Sequence, residues 1–148
     1  MTWSDYTSKI RAIINEFGQR RLIIGEVPLK SRLVKNKGEI FTKAPHITFQ
    51  DSAIFEFLEE ISIISNHVHI DTYKYQYQRV SGYYFRYEKE PTEDIIWKPQ
   101  EHLHVLFKVP HFNSPFVTLE QVFRLIEVNF YQETKRKDIV GVKLEVTI

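Results

Sequence analysis

Apolar positions recur at two periods along this chain, and each period predicts its own kind of element. Near the start, Tyr6, Ile10, Ile13, Ile14 and Phe17 fall at helical spacing, and Gly18 suits the position just past a helix end. Thr2 or Ser4 can cap that helix at its start. The run from Arg21 to Val27 is short, apolar and closed by Pro28, which reads as a strand. Residues 28–38, with Pro28, Asn36 and Gly38 among basic side chains, read as a loop or a hairpin connection.

The middle of the chain alternates with period two. Phe55, Phe57, Glu59, Ile61 and Ile63 share one face of a long strand, against Ile54, Glu56, Leu58, Glu60 and Ser62 on the other. Asn66 allows a turn, and residues 67–80 form a second strand with Tyr73, Tyr75 and Tyr77 on one face. Ser81 and Gly82 turn the chain into a third strand, 83–87. A loop through Pro91 and Pro99 leads to a fourth, 101–109. Consecutive strands with short turns predict an antiparallel meander. Beyond Pro110 and Pro115 the period lengthens again. Thr118 and Gln121 have capping-box spacing, ahead of a helical face of Val122, Leu125, Ile126 and Phe130. Val140, Val142, Leu144, Val146 and Ile148 then alternate as a half-buried strand. The expected architecture is a single α+β domain over residues 1–148. It has a curved antiparallel sheet of about five to seven strands, with the N-terminal helix and the 118–132 helix packed on one face.

Composition narrows the function classes. The chain has 148 residues, 43% hydrophobic and 26% charged, enough to bury about 70% of its unfolded surface in one core. No apolar run approaches the roughly 20 residues that span a bilayer. The first eleven residues are polar and lack the apolar stretch of a secretory signal. Cysteine is absent, which excludes disulfides, thiolate metal sites and a cysteine nucleophile. A reducing cytoplasm is the expected location.

The net charge of +1 hides a lopsided distribution. Residues 20–43 carry seven Lys or Arg, Lys35 and Lys37 among them, against Glu26 and Glu39. Such a stretch can hold a phosphate backbone, and solvated loop lysines produce the same pattern.

The sharpest candidate chemistry lies in Glu101-His102-Leu103-His104-Val105. On a strand, His102 and His104 share a face while Leu103 and Val105 take the other. Two imidazoles that titrate near neutral pH can divide acid and base work. They can equally bind a metal, or be solvent-side or hydrogen-bonded strand residues. His67 and His69 repeat the spacing, and a zinc site would need a third ligand that the sequence does not announce, so no metal or other cofactor is expected. Arg86 falls on a central strand if 73–80 pairs with 83–89, and it then needs an anion, from Glu59, Glu88 or a substrate phosphate. Tyr75, Tyr77 and Tyr84 offer aromatic faces for stacking bases, although strand aromatics also simply pair across a sheet. The expectation is that His102 and His104 lie within hydrogen-bonding reach of Arg86 or Glu59.

The order of these features is familiar. Asp51-Ser52, then Phe55, Phe57 and Glu59, precede Tyr75-Gln76-Tyr77. A turn with Gly82 leads to Tyr84-Phe85-Arg86-Tyr87-Glu88, then Pro91, and finally His102-Leu103-His104-Val105. Over roughly residues 50–130 the chain resembles the TumE-like toxins of bacterial toxin–antitoxin systems. Glu88 stands where that pattern usually has Asp, and Gln100-Glu101 replaces an extra histidine often found before the final pair. What the resemblance implies is a small cytoplasmic toxin, held in check by a cognate antitoxin protein.

Three readings stay open. In the first, the protein is a toxin that cleaves RNA without metal. His102 and His104 act as acid and base, Arg86 steadies the phosphorane, and Glu59 or Glu88 orients an imidazole. Tyr75, Tyr77, Tyr84, Lys35 and Lys37 would hold the substrate. In the second, it is a non-catalytic protein acting through a protein partner. In the third, it binds a small molecule in the concave sheet.

Overall fold

The computed structural model describes residues 1–90, 99–107 and 111–132. Helix α1 (Trp3–Gln19) is capped by Thr2, whose hydroxyl accepts from the Asp5 amide, and it buries Ile10, Ile13, Ile14 and Phe17. Strand β1 (Ile23–Ile24) follows, cut short by Gly25 at φ 74°, where the expected longer strand ends. The basic stretch then resolves as a hairpin of β2 (Leu29–Val34) and β3 (Lys37–Thr42), turning at Lys35 and Asn36. Strand β4 (Ile47–Phe49) precedes the long β5 (Ile54–Ile64) and β6 (His67–Gln78). Ser65 and Asn66, both at positive φ, make their two-residue turn, as the twist of a hairpin favours. Strands β7 (Tyr84–Lys89), β8 (Glu101–Val105) and β9 (Phe112–Asn113) continue the meander.

Among the described residues every pairing is antiparallel, and the sheet runs β1-β4-β5-β6-β7-β8-β9, with β3 also on β5 and β2 on β3. The α+β antiparallel architecture is as expected. The nine strands among the described residues exceed the expected number because the β2–β3 hairpin and the short β4 and β9 also join the sheet. Strand β8 stops at Val105, since Leu106 turns to φ 65°, so it is shorter than its apolar pattern suggested. The strand expected over 140–148 lies outside the described residues.

One face of the sheet makes the core. Helix α2 (Leu119–Ile126) starts with the expected capping box between Thr118 and Gln121, then runs into a π-helical stretch, Glu127–Tyr131. It buries Leu119, Val122, Phe123 and Ile126. Together with α1 it covers Phe55, Phe57, Tyr75, Tyr77, Phe85, Tyr87 and Leu103, all buried. Gly38 on β3 admits the Trp3 ring of α1, whose carbons lie 2.7 and 2.8 Å from where a Cβ would stand. Phe123 joins the layers, with its ring centroid 4.9 Å from Phe17 of α1 and 4.9 Å from Phe55 of β5. Phe123→Ala should therefore cost about 3–5 kcal/mol in a denaturant titration. A loss below about 1 kcal/mol would show that α2 does not seal the core.

Candidate functional site

The opposite face of the same strands carries the chemistry. On β7, Phe85 and Tyr87 enter the core, so the period of two turns Arg86 and Glu88 to the other side. On β8, Leu103 is core and His102 and His104 are turned the same way as Arg86 and Glu88. Register then sets the neighbours: Arg86 faces His104, and Glu88 faces His102. Strand β6 adds Gln76 opposite Arg86 and Lys74 opposite Glu88. Four chemistry-bearing side chains from two strands thus share one patch of a face that neither helix covers.

Glu88 is the centre of that patch. Its Oε1 lies 2.5 Å from Arg86 Nε, and its Oε2 lies 3.1 Å from His102 Nε2 and 3.6 Å from His104 Nε2. Glu90 adds a carboxylate oxygen 3.7 Å from His102 Nε2. His102 is fully buried, and its Nδ1 lies 2.8 Å from the Pro99 carbonyl. A carbonyl only accepts, so Nδ1 carries the proton. Arg86 also donates through Nη1 to Gln76 Oε1 at 3.2 Å. A third imidazole completes the group: His111, half-buried just before β9, stands 5.0 Å from the His102 ring and 4.6 Å from the His104 ring. One nitrogen from each of the three rings lies within 4.8 Å of the other two, a set able to ligate a metal ion.

The expected site residues do not all meet here. Arg86, Glu88, His102 and His104 do. Tyr84 lies half-buried on the same face of β7, two residues from Arg86. Glu59, Tyr75 and Tyr77 are on the core face, across the sheet from the histidines. Glu59 is fully buried and accepts hydrogen bonds from the hydroxyls of Tyr6 and Tyr75. Burial raises its pKa, with the two hydroxyls pulling the other way. Tyr77 bonds the Tyr131 hydroxyl at 2.7 Å and accepts from Arg79 at 2.8 Å. Lys35 sits exposed in the β2–β3 turn, and Lys37 donates to Ser62 Oγ at 2.7 Å. Strand β3 is four strand spacings from β8, about 19 Å across the sheet, so the basic hairpin is remote from the histidines. His67 and His69 are exposed on the far half of β6. Clefts are shallow near the site. A groove of about 180 Å³ reaches Glu88 and Glu90 beside Lys74, whereas one of about 670 Å³ lies on the helix side, by Arg11, Asn15 and Gly25.

Burial would lower the His102 imidazole, but hydrogen bonds to Glu88 and the Pro99 carbonyl, with the charges of Glu88 and Glu90, raise it above its ordinary 6.5. Burial works against the Glu88 carboxylate too. Hydrogen bonding to His102 and Glu90, with the charges of Arg86 and His104, reverses that and holds it well below 4.5. A raised imidazole stabilises the fold fully below its unfolded value, and that stability is lost as pH rises through the folded one. A depressed carboxylate stabilises above its unfolded value and loses that as pH falls through the folded one. The pair is therefore worth most between about pH 4.5 and 6.5. Glu88→Gln should move the His102 ring-proton titration, followed by NMR, to lower pH, and breaking the buried pair should cost about 3–5 kcal/mol. An unshifted His102 titration would contradict this geometry.

The patch coincides with the segment that carries the family resemblance. The family model described as toxin TumE matches residues 26–129, which span every strand from β2 to β9 together with α2. No curated protein and no solved structure matches the chain. With the match covering well over half its length, the chain belongs to the TumE toxin family.

Proposed function

We propose that this protein is the toxin of a toxin–antitoxin module and that it acts as a metal-independent ribonuclease through the histidines on the sheet face turned away from the helices. The family supplies the toxin role and, in general terms, a cognate antitoxin partner. The observation that supports the chemistry is the convergence of Arg86, Glu88, His102, His104 and His111 on a face that neither helix covers.

Cleavage by the substrate's own 2′-hydroxyl needs three things. A base takes the 2′-proton as the oxygen attacks phosphorus, an acid gives a proton to the departing 5′-oxygen, and a cation steadies the phosphorane. His102 is fully enclosed with both ring nitrogens engaged, which suits it to positioning Glu88. His104, nearly as enclosed at 3% exposed, faces Arg86 across the ladder, and with the half-buried His111 it would carry the proton transfer while Arg86 takes the phosphate charge. The products are a 2′,3′-cyclic phosphate and a 5′-hydroxyl. Tyr84, on the same face, is the aromatic closest to hand for stacking a base. The basic β2–β3 hairpin with Lys35 and Lys37 would engage the RNA backbone at a distance from the scissile bond.

His104→Ala and His111→Ala should each lower RNA cleavage about 10²- to 10⁴-fold and relieve growth inhibition, with circular dichroism unchanged. Leu103 remains in the core in both variants. Full growth inhibition from a folded His104→Ala, His111→Ala double variant would defeat the catalytic reading. It would favour instead a protein that is toxic by binding a partner.

A further inference from the structure

Three imidazoles in mutual contact on a sheet face call for a reason. Their centroids are 4.9, 5.0 and 4.6 Å apart and their planes are inclined at 77°, 78° and 69°. Such tilted rings present edges to one another, which lets nitrogens from all three approach a common point. Nitrogens bound to tetrahedral Zn²⁺ at 2.0–2.1 Å stand about 3.3 Å from one another. The imidazole nitrogens, within 4.8 Å, need to close by at most about 1.5 Å to reach that separation. Glu88 Oε2 already brackets it, 3.1 Å from His102 Nε2 and 3.6 Å from His104 Nε2.

The surroundings are those of a supported ligand set. With Nδ1–H of His102 committed to the Pro99 carbonyl, the lone pair of the neutral ring sits on Nε2, facing Glu88. Arg86 Nε holds the other oxygen of Glu88, leaving Oε2 toward the imidazoles. A carbonyl behind an imidazole and a guanidinium behind a carboxylate fix ligand orientation in the way metal sites require. The sequence shows two of these histidines as a pair, and the fold brings in the third.

From this geometry we infer that His102, His104, His111 and Glu88 form a binding site for a divalent transition ion of the zinc class. Imidazole nitrogens with one carboxylate suit Zn²⁺, Co²⁺ or Ni²⁺, whereas Mg²⁺ and Ca²⁺ prefer all-oxygen shells. The ion takes the lone pairs through which the imidazoles exchange protons, so its binding switches the acid–base site off. That regulatory consequence rests on the proposed ribonuclease activity, while ion binding does not.

The test titrates the untagged full-length chain with Zn²⁺ in a calorimeter and with Co²⁺ by visible absorption. One ion per chain is expected, with the absorption of a four-coordinate cobalt site and no competition from Mg²⁺. His111→Ala, whose side chain is half-buried outside the strand ladder, should weaken binding at least about 10-fold. Arg86→Gln should weaken it about 10- to 100-fold, and a His67→Gln, His69→Gln control should leave it unchanged. Saturating Zn²⁺ should suppress RNA cleavage by the wild-type chain. Failure to bind one equivalent, or binding that a folded His111→Ala variant retains in full, would overturn the site. Cleavage stimulated by Zn²⁺ would leave the ion site standing but contradict both the switch and imidazole acid–base chemistry. Stoichiometric binding in a chain that cleaves no RNA would defeat only the ribonuclease reading and its regulation.

Discussion

The carboxylate of Glu88 is the interaction on which the histidine site depends. One of its oxygens meets the Arg86 guanidinium, and the other meets His102 and stands near His104. Without it, a guanidinium and a fully buried imidazole would sit side by side with like charge and little water, an arrangement that costs several kcal/mol per ion. With it, the imidazole is held protonated or ready to ligate, and the guanidinium is fixed in direction. The register of β7 against β8 brings these groups opposite each other, and that register is held by Phe85, Tyr87 and Leu103 in the core behind them. Core packing on one face thus positions chemistry on the other.

Glu59 shows the same residue type in the contrary situation. It faces the helices, fully buried, and its partners are the hydroxyls of Tyr6 and Tyr75, which are neutral. Desolvation raises its pKa, whereas cationic partners bring that of Glu88 down. The first clips α1 to the centre of the sheet. The second assembles a site. Two carboxylates on neighbouring parts of one sheet are separated in role by which face their strand turns them to.

Much of this was legible in the chain. Alternation located β5, β6 and β7, the capping box located α2, and the spacing of His102 and His104 put both on one face. The wrong placement of Glu59 beside Arg86 was also avoidable on parity. Phe57 and Ile61 flank Glu59 on its own face, whereas Phe85 and Tyr87 flank Arg86 on the face it turns away from. Joining the two core rows puts Glu59 and Arg86 on opposite sides. His111 is a different matter. It lies outside any periodic pattern, and only the pairing of β9 with β8 brings it over the other two histidines. The basic stretch around Lys35 and Lys37 was legible as a loop or hairpin connection, but nothing in it showed that the hairpin would pair on the far side of β5, remote from the histidines.

The central proposal is that the face of β7 and β8 turned away from the two helices is where the toxin meets its substrate. The most direct measurement is an NMR perturbation map with a short RNA made uncleavable by 2′-deoxy substitution. Shifts should concentrate on the side chains of Gln76, Tyr84, Arg86, His104 and His111, with weaker changes at the β2–β3 hairpin. Shifts confined to the helix side, or to the hairpin alone, would contradict the account.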